Sequence, residues 1–481
     1  MKTKVIILTI FVIMSIGLQS QNSFEFILQD TLSSKCFSTF IDDQNYFVSL
    51  GSTGNPDIYE YDGMILKFKT PEDVSINIFE KPDTILFLRF GFLMTNGNYF
   101  VTGTIDDNSD VDLKNLYIME LSPELEIINE KIYGIPDIYN KLYLYNLYVD
   151  SDSNIVINGK VEDPPPGNIN DLYVAKLNLQ GELLDTLINT QFNADFFSEL
   201  LGKPDNSGYY LIGGFGFARL IELDNSLNIL SYQPLDPNNS YNGAIGARWL
   251  PDGNIIIGSL ANQDVPNAFY DLRVRVTGED LEPIRDTVIF DDGFNWLPAI
   301  NGLDYTDVNN IWVVTYPQLG KSTSDWEYGR IYIFDQYLNV KGAKYFGGTL
   351  SLYLYSIKAL DDGGCIITGI AADEQNKGYT DVYIKKVMPE DILTNAEETP
   401  EQNDIDVLVY PVPFGNELNI ETYRRGLNIS LHSMEGHCII SQSPLNIPNT
   451  QINTSNLEKG FYNYSIYDNG KIIQSGKIIK Q

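Results

Sequence analysis

Histidine is almost missing from this chain. Its two copies, His432 and His437, both lie near the C-terminal end, so residues 21–388 contain none. That excludes Ser/His/Asp and Cys/His nucleophilic catalysis, and any histidine-ligated metal, from this stretch. Cysteine is scarce as well. Cys36, Cys365 and Cys438 are an odd number, so at least one cannot pair within the chain. A Cys36–Cys365 bridge and two small buried thiols both fit their positions. Basic residues number 32 against 64 acidic ones, a net charge of −32. Phosphate backbones and anionic membrane surfaces repel such a polyanion, which argues against both as partners. Glycine-rich phosphate loops of the Walker kind are absent too. Hydrophobics still make up 43% of the chain, so the acidity reads as a solvated surface on a folded protein.

Long apolar runs are missing with one exception. Val5 to Ile16 is almost unbroken, follows Lys2 and Lys4, and leads into Gly17-Leu-Gln-Ser20. The pattern predicts a secretory signal over residues 1–20, cut between Ser20 and Gln21. The run is short for a transmembrane helix, and no cysteine follows closely enough for lipid attachment.

What the chain does have is a repeat. Seven times an Asp/Asn/Gly turn precedes a β-branched or aromatic run that usually ends in Gly. The copies are Asp43–Gly51, Asn96–Gly103, Asp152–Gly159, Asn206–Gly213, Asp252–Gly258, Asp307–Val314 and Asp362–Gly369. A near-fixed step of about 50 residues, with room for four strands per copy, is the signature of a radial β-repeat. The third repeat parses as Tyr143–Val149, Asn154–Val161, Asp171–Leu177 and Leu183–Thr190. The seventh runs out of chain after its third strand, near Met388. Ser23–Leu28 has strand character and no repeat of its own. Pairing it with Asp381–Val387 would complete the last sheet and leave no open edge. The expected fold is therefore all-β: a seven-bladed β-propeller over residues 21–388, closed by an N-terminal strand. Residues 389–406 are acidic, carry two prolines and read as a linker. Residues 407–481 read as a small β-sandwich.

Candidate sites are few. Asp291-Asp-Gly-Phe-Asn-Trp296 comes near a sialidase box once, lacks the leading Ser, and reads as an outer-strand turn. Asp106, Asp110 and Asp112 space their oxygens as a calcium loop does, and also as a solvated turn does. Asp150-x-Asp-x-Asn154 has similar spacing on a repeat turn. The connections between second and third strands differ from repeat to repeat, and specific function belongs where repeats differ. They carry Phe269, Tyr270, Tyr316, Trp326 and Tyr328 beside acids and amides, a mixture that suits sugars or peptides and equally packs loops together.

The last segment has ordered motifs. They are Val409-Tyr410-Pro411-Val-Pro413-Phe414, then Asn416–Ile420, Ile429–Gly436, Leu457-Glu-Lys-Gly460-Phe-Tyr462 and a basic ending with Lys477 and Lys480. Pro411 and Pro413 fix an extended entry, and Gly436 and Gly460 suit tight turns. In order and spacing these motifs resemble the C-terminal sorting domain of type IX (Por) secretion cargo of Bacteroidota. Val412 and His432-Ser433 depart from its usual residues. The resemblance implies Sec-dependent export, recognition by the type IX machinery, and secretion or attachment at the outer-membrane surface. It also implies O-glycosylation at Asp-Thr-aliphatic triplets, of which there are four: 30–32, 83–85, 185–187 and 286–288. The propeller repeats resemble those of surface proteins from the same bacteria, which implies fold and not activity. The expected function is a non-catalytic binding or adhesion module for glycan or protein, with no required cofactor. The alternative is a carboxylate-dependent polysaccharide hydrolase or lyase, which needs no histidine.

Overall fold

The computed structural model describes residues 23–28, 32–57, 60–107, 115–163, 170–190, 199–214, 218–235, 244–262, 270–289, 294–296, 300–318, 329–347, 351–372, 379–393, 407–410, 414–422, 427–433, 438–442, 445, 449–468 and 471–480. The chain divides into two compact units, Met1–Leu393 and Thr394–Gln481.

The first unit is a succession of antiparallel meanders. Three are separate four-stranded sheets: Lys141–Val149 to Leu183–Asn189, Glu199–Gly202 to Ile229–Pro234, and Ala244–Trp249 to Pro283–Ile289. The first two repeats share an eight-stranded sheet, joined by a single parallel pair, Tyr61 with Ile85. The sixth repeat is five-stranded, because its innermost position is split between Phe294–Trp296 and Leu303–Asp304. In the last sheet, Ser351–Ala359, Cys365–Ala372 and Asp381–Val387 are joined by the N-terminal strand Phe24–Leu28, which runs from Phe24 opposite Lys386 to Leu28 opposite Val382. Phe26, Leu28 and Ile384 share a core with Cys36, Phe47, Met64 and Phe68 of the first repeat. The Ser34 amide donates to the Thr380 carbonyl, so the first and seventh repeats touch.

Four of the phrase-ending glycines, Gly51, Gly103, Gly159 and Gly369, have a steric cause. In the innermost strands the register slips at Phe37, Arg89, Tyr145 and Tyr355, each an extra residue bulged out of the ladder. Each bulge presses the carbonyl two residues earlier against the glycine opposite. A Cβ at Gly51, Gly103 or Gly159 would lie 1.8, 2.0 or 1.9 Å from the carbonyl oxygen of Lys35, Phe87 or Tyr143. At Gly369 the distance to the Tyr353 carbonyl is 2.5 Å. The sixth phrase ends in Val314 instead, and there the innermost strand is broken rather than bulged.

A second repeated device sits between third and fourth strands. Leu125, Leu227, Leu281 and Leu338 hold φ between 56° and 66°, and all four are buried. A left-handed non-glycine residue costs about 1–2 kcal/mol. Burying a leucine yields about 1.5–3 kcal/mol, which more than offsets that strain.

Several sequence expectations change. Phe294–Trp296, the end of the sialidase-like box, is not in an outer-strand turn but pairs with Gln318, Pro317 and Tyr316 at the innermost position, while Asp291, Asp292 and Gly293 lie outside the described residues. Cys36 and Cys365 are separate buried thiols, and Cys438 is exposed. Pro389–Asp391 forms a 3-10 turn, and Ile392 is buried against the sixth and seventh repeats. The folded part thus reaches Leu393.

The second unit has a three-stranded sheet (Val407–Tyr410, Glu417–Thr422, Asn449–Asn453) and a four-stranded one (Leu427–His432, Cys438–Gln442, Gly460–Asp468, Lys471–Lys480). Leu418, Ile420 and Ile452 of the first share a core with Leu427, Ile429, Tyr464, Ile466 and Ile478 of the second.

Candidate functional site

Aligning the innermost strands on their bulges brings out two tiers of side chains. Lys35, Phe87, Tyr143 and Tyr353 occupy one position, opposite Ser52, Thr104, Lys160 and Ile370. The bulged residues Phe37, Arg89, Tyr145 and Tyr355 form the next. A bulge turns a side chain that a regular ladder would bury between sheets, and here four bulges from four repeats send theirs to one place. The Arg89 guanidinium lies 4.1 Å from the Phe37 ring centroid. Phe37 in turn packs edge-on against Tyr355 at 4.8 Å and Phe87 at 6.1 Å. Tyr143, Tyr145, Tyr353 and Tyr355 are all near enough to act on the Arg89 charge. The Lys35 ammonium lies 5.6 Å from the Tyr61 ring and 6.0 Å from the Phe87 ring. Arg89 is also 6.0 Å from Phe87.

Neither cation has an acidic partner among the described residues. The Arg89 Nε is buried without a hydrogen-bond acceptor. Burial lowers the proton affinity of both groups, and Arg89 lowers that of Lys35 further. Two neighbouring desolvated cations disfavour each other, and an anion between them would relieve both.

Across the later repeats the innermost strands carry a different arrangement. Asn146 donates to Glu199 at 3.1 Å. Arg248 pairs with Glu199 at 2.8 Å and with Asp304 at 2.9 Å. Asp304 meets the Lys358 ammonium at 3.2 Å and accepts the Ala359 amide at 2.9 Å. This chain of contacts passes through five successive repeats. Burial raises the Glu199 carboxyl to about 7, with Arg248 opposing, and its Oε1 has no partner. Asp304 is also pushed up by burial, but Arg248, Lys358 and the Ala359 amide outweigh this and hold it below the ordinary value. The two side chains are 0% and 4% exposed. Carboxylates so enclosed tie strands together.

The residues singled out in the sequence are placed as follows. Phe269, Trp326 and Tyr328 lie outside the described residues. Tyr270 opens the strand Tyr270–Thr277, and Tyr316 lies within Ile311–Gln318, with their side chains outside the description. Asp106 belongs to the strand Tyr99–Asp107, opposite Ile85, rather than to a loop; Asp110 and Asp112 lie outside the described residues. Asp150 is occupied by the Asn154 amide, the Tyr209 hydroxyl at 2.7 Å and Lys176 at 3.5 Å. Asp42 likewise takes the Tyr99 hydroxyl at 2.8 Å and Lys67 at 3.0 Å, so these turn aspartates latch one repeat to the next. Of the modification triplets, Thr186 is exposed, whereas the Thr84 and Thr287 hydroxyls donate to the Lys81 and Leu338 carbonyls. Residues 30–31 lie outside the description.

In the second unit, Phe414 is buried, donates its amide to the Ile479 carbonyl and packs edge-on against Tyr462 at 6.1 Å. The Tyr462 hydroxyl donates to the Glu458 carbonyl at 2.7 Å. Leu457 packs on the same core, and Gly460 has a φ of 156°. Tyr410 and Lys477 lie in strands, opposite Asn419 and Asn463. Lys480 is buried, and its ammonium donates to the Thr454 carbonyl, so this end of the basic tail is structural rather than solvated. Pro411, Pro413, Gly436, Ser20 and Gln21 lie outside the described residues.

Sequence reading missed Lys35, Arg89, Glu199, Arg248 and Asp304. A signal existed for the first two: spacing back from each repeat glycine gives Lys35-x-Phe37, Phe87-x-Arg89, Tyr143-x-Tyr145 and Tyr353-x-Tyr355.

Comparison with known proteins adds the following. No curated protein matches the chain. An α-L-arabinofuranosidase of Fusarium graminearum is 9% identical over 78% of this chain and 99% of its own, with a TM-score of 0.41. A protein of unknown function from Dyadobacter fermentans is 8% identical over 77% of this chain and 99% of its own, with a TM-score of 0.45. A putative 6-phosphogluconolactonase from Bacteroides fragilis is 9% identical over 64% and 86%, with a TM-score of 0.36. Likenesses of this depth carry no argument about activity. Among the described residues no helix is long and apolar enough to cross a membrane. Residues 408–481 match the secretion system C-terminal sorting domain. The C-terminal unit is thus a type IX sorting domain, and the chain is a secreted or cell-surface protein.

Proposed function

We propose that the first unit is a seven-bladed β-propeller, closed by Phe24–Leu28, that acts outside the cell as a non-catalytic module binding glycan or protein. The blade count treats the eight-stranded sheet as two meanders, and the contacts between first and seventh repeats support a closed ring. Before export the chain carries a signal over residues 1–20. A linker joins the propeller to the sorting domain, and the type IX machinery takes that domain as its handle.

The observation that carries the non-catalytic reading is the state of Glu199 and Asp304. Their proton affinities are pushed apart, as in a glycosidase pair. Both are enclosed and committed to Arg248, whereas a catalytic acid must touch the glycosidic oxygen. The paired aromatic tiers supply stacking surface and carry no carboxyl, the group a glycosidase needs.

A glycan array probed with the full chain, followed by product analysis of every hit, tests this reading. Specific capture with intact glycan is the expected result. Release of shortened product by wild type, but not by Glu199→Gln, would restore the hydrolase.

A further inference from the structure

Lys35 and Arg89 are an oddity in a chain with a net charge of −32. Acids outnumber bases two to one, yet no carboxylate pairs with either cation among the described residues. Several basic side chains elsewhere are matched with carboxylates, as in Arg248 with Glu199 and Lys67 with Asp42. Arg89 is held on the Phe37 ring by a bulge that Gly103 makes room for. Such geometry pre-organises a guanidinium, whose planar fork suits a carboxylate. The surrounding Phe87, Tyr61 and Tyr355 rings are half-buried and so still present surface. Lys35 pairs with Ser52 near the end of its sheet where second and third strands connect, so the cluster lies toward the variable connections.

We propose that Lys35 and Arg89 form an anion site for the carboxylate of an acidic saccharide, with Phe87 and Tyr61 packing against the sugar ring. This rests on the binding-module reading and names its ligand class. The guanidinium of Arg89 takes the carboxylate oxygens and Lys35 adds a second charge-assisted contact. The aromatic rings meet the apolar C–H face of the sugar. Acidity elsewhere on the protein repels the acidic saccharide from the rest of the surface and confines binding to this spot.

The test is calorimetric titration of the full chain with oligogalacturonate, and with the same oligomers after carboxyl reduction. Wild type binds the acid form, and reduction of the carboxyls weakens binding at least about tenfold, as loss of a charge-assisted contact would. Arg89→Gln and Lys35→Gln each lose a comparable factor, while Arg89→Lys retains part of the affinity. Thermal unfolding checks that each variant folds, and the Arg89→Lys comparison keeps the test decisive where Arg89→Gln does not fold. Equal binding of acid and reduced oligomers, or unchanged binding by Arg89→Gln, overturns the anion site and leaves the binding module standing. Failure of wild type to bind the acid oligomers also overturns it. Shortening of the oligomers by wild type overturns the module itself.

Discussion

Glu199→Gln isolates the most perturbed carboxyl of the innermost strands. Enclosure raises this group to about 7 from an ordinary 4.5, because Arg248 is shared with Asp304 and Oε1 is unpartnered. A carboxyl raised in the folded state holds its proton there after the unfolded chain has released it. Between about pH 4.5 and 7 the native state therefore binds more protons, and stability falls as pH rises through that window. At about 1.4 kcal/mol per pKa unit, the shift corresponds to roughly 3 kcal/mol once the group is fully ionised. Glutamine is neutral and similar in shape. At pH 5 the variant and wild type should unfold within about 1 kcal/mol of each other, since both carry a neutral side chain there. At pH 8 the variant should be the more stable by up to about 3 kcal/mol. Guanidinium unfolding from pH 5 to 8, read as the difference between the two proteins, cancels the titration of the other acids. A difference that stays constant across this range refutes the raised carboxyl. A variant that is less stable by the same amount throughout pH 5 to 8 shows in addition that the ionised Glu199–Arg248 pair is a net stabiliser.

Gly159→Ala places a Cβ 1.9 Å from the Tyr143 carbonyl and must flatten the bulge, at about 3 kcal/mol or more by chemical denaturation. Gly253→Ala meets nothing within 4 Å and should cost only the strain of its φ of 82°, about 1 kcal/mol. Equal effects at the two sites would refute the steric account of the repeat. Phe26→Ala empties a buried site 5.3 Å from the Phe68 ring and should cost about 3–5 kcal/mol; a neutral result in thermal unfolding would mean that the N-terminal strand does not hold the first and last repeats together. In the sorting domain, Lys480→Met removes the buried donor to the Thr454 carbonyl and should cost about 1–3 kcal/mol in the unfolding of that unit, whereas a merely electrostatic tail would show no change.

Much of this fold is legible in the sequence. The seven phrases mark the second strands: Asp362–Gly369 anticipates Cys365–Ala372, and Asp381–Val387 coincides with its strand end to end. That success is physical. Strand and turn preferences are local, and a repeated unit states them seven times. The pairing of Phe24–Leu28 with the last sheet followed from counting strands, because an unmatched edge is costly. The sorting domain was legible because its motifs are ordered along the chain, even where single residues depart. Lys480 shows the limit: nothing in a basic ending announces that the Thr454 carbonyl, just past a strand of the other sheet, accepts from its ammonium.

Sequence alone determined the strand content, the repeat and the sorting signal, since each depends on neighbours within a few tens of residues. Tertiary structure decided where the repeat glycines act and what their bulges aim. Phe37, Arg89, Tyr145 and Tyr355 come from strands spread over more than three hundred residues of chain, and no local preference reports that they meet. The same holds for Glu199, Arg248 and Asp304. Their proton affinities are set by burial and by one another, which exist only once consecutive sheets have packed.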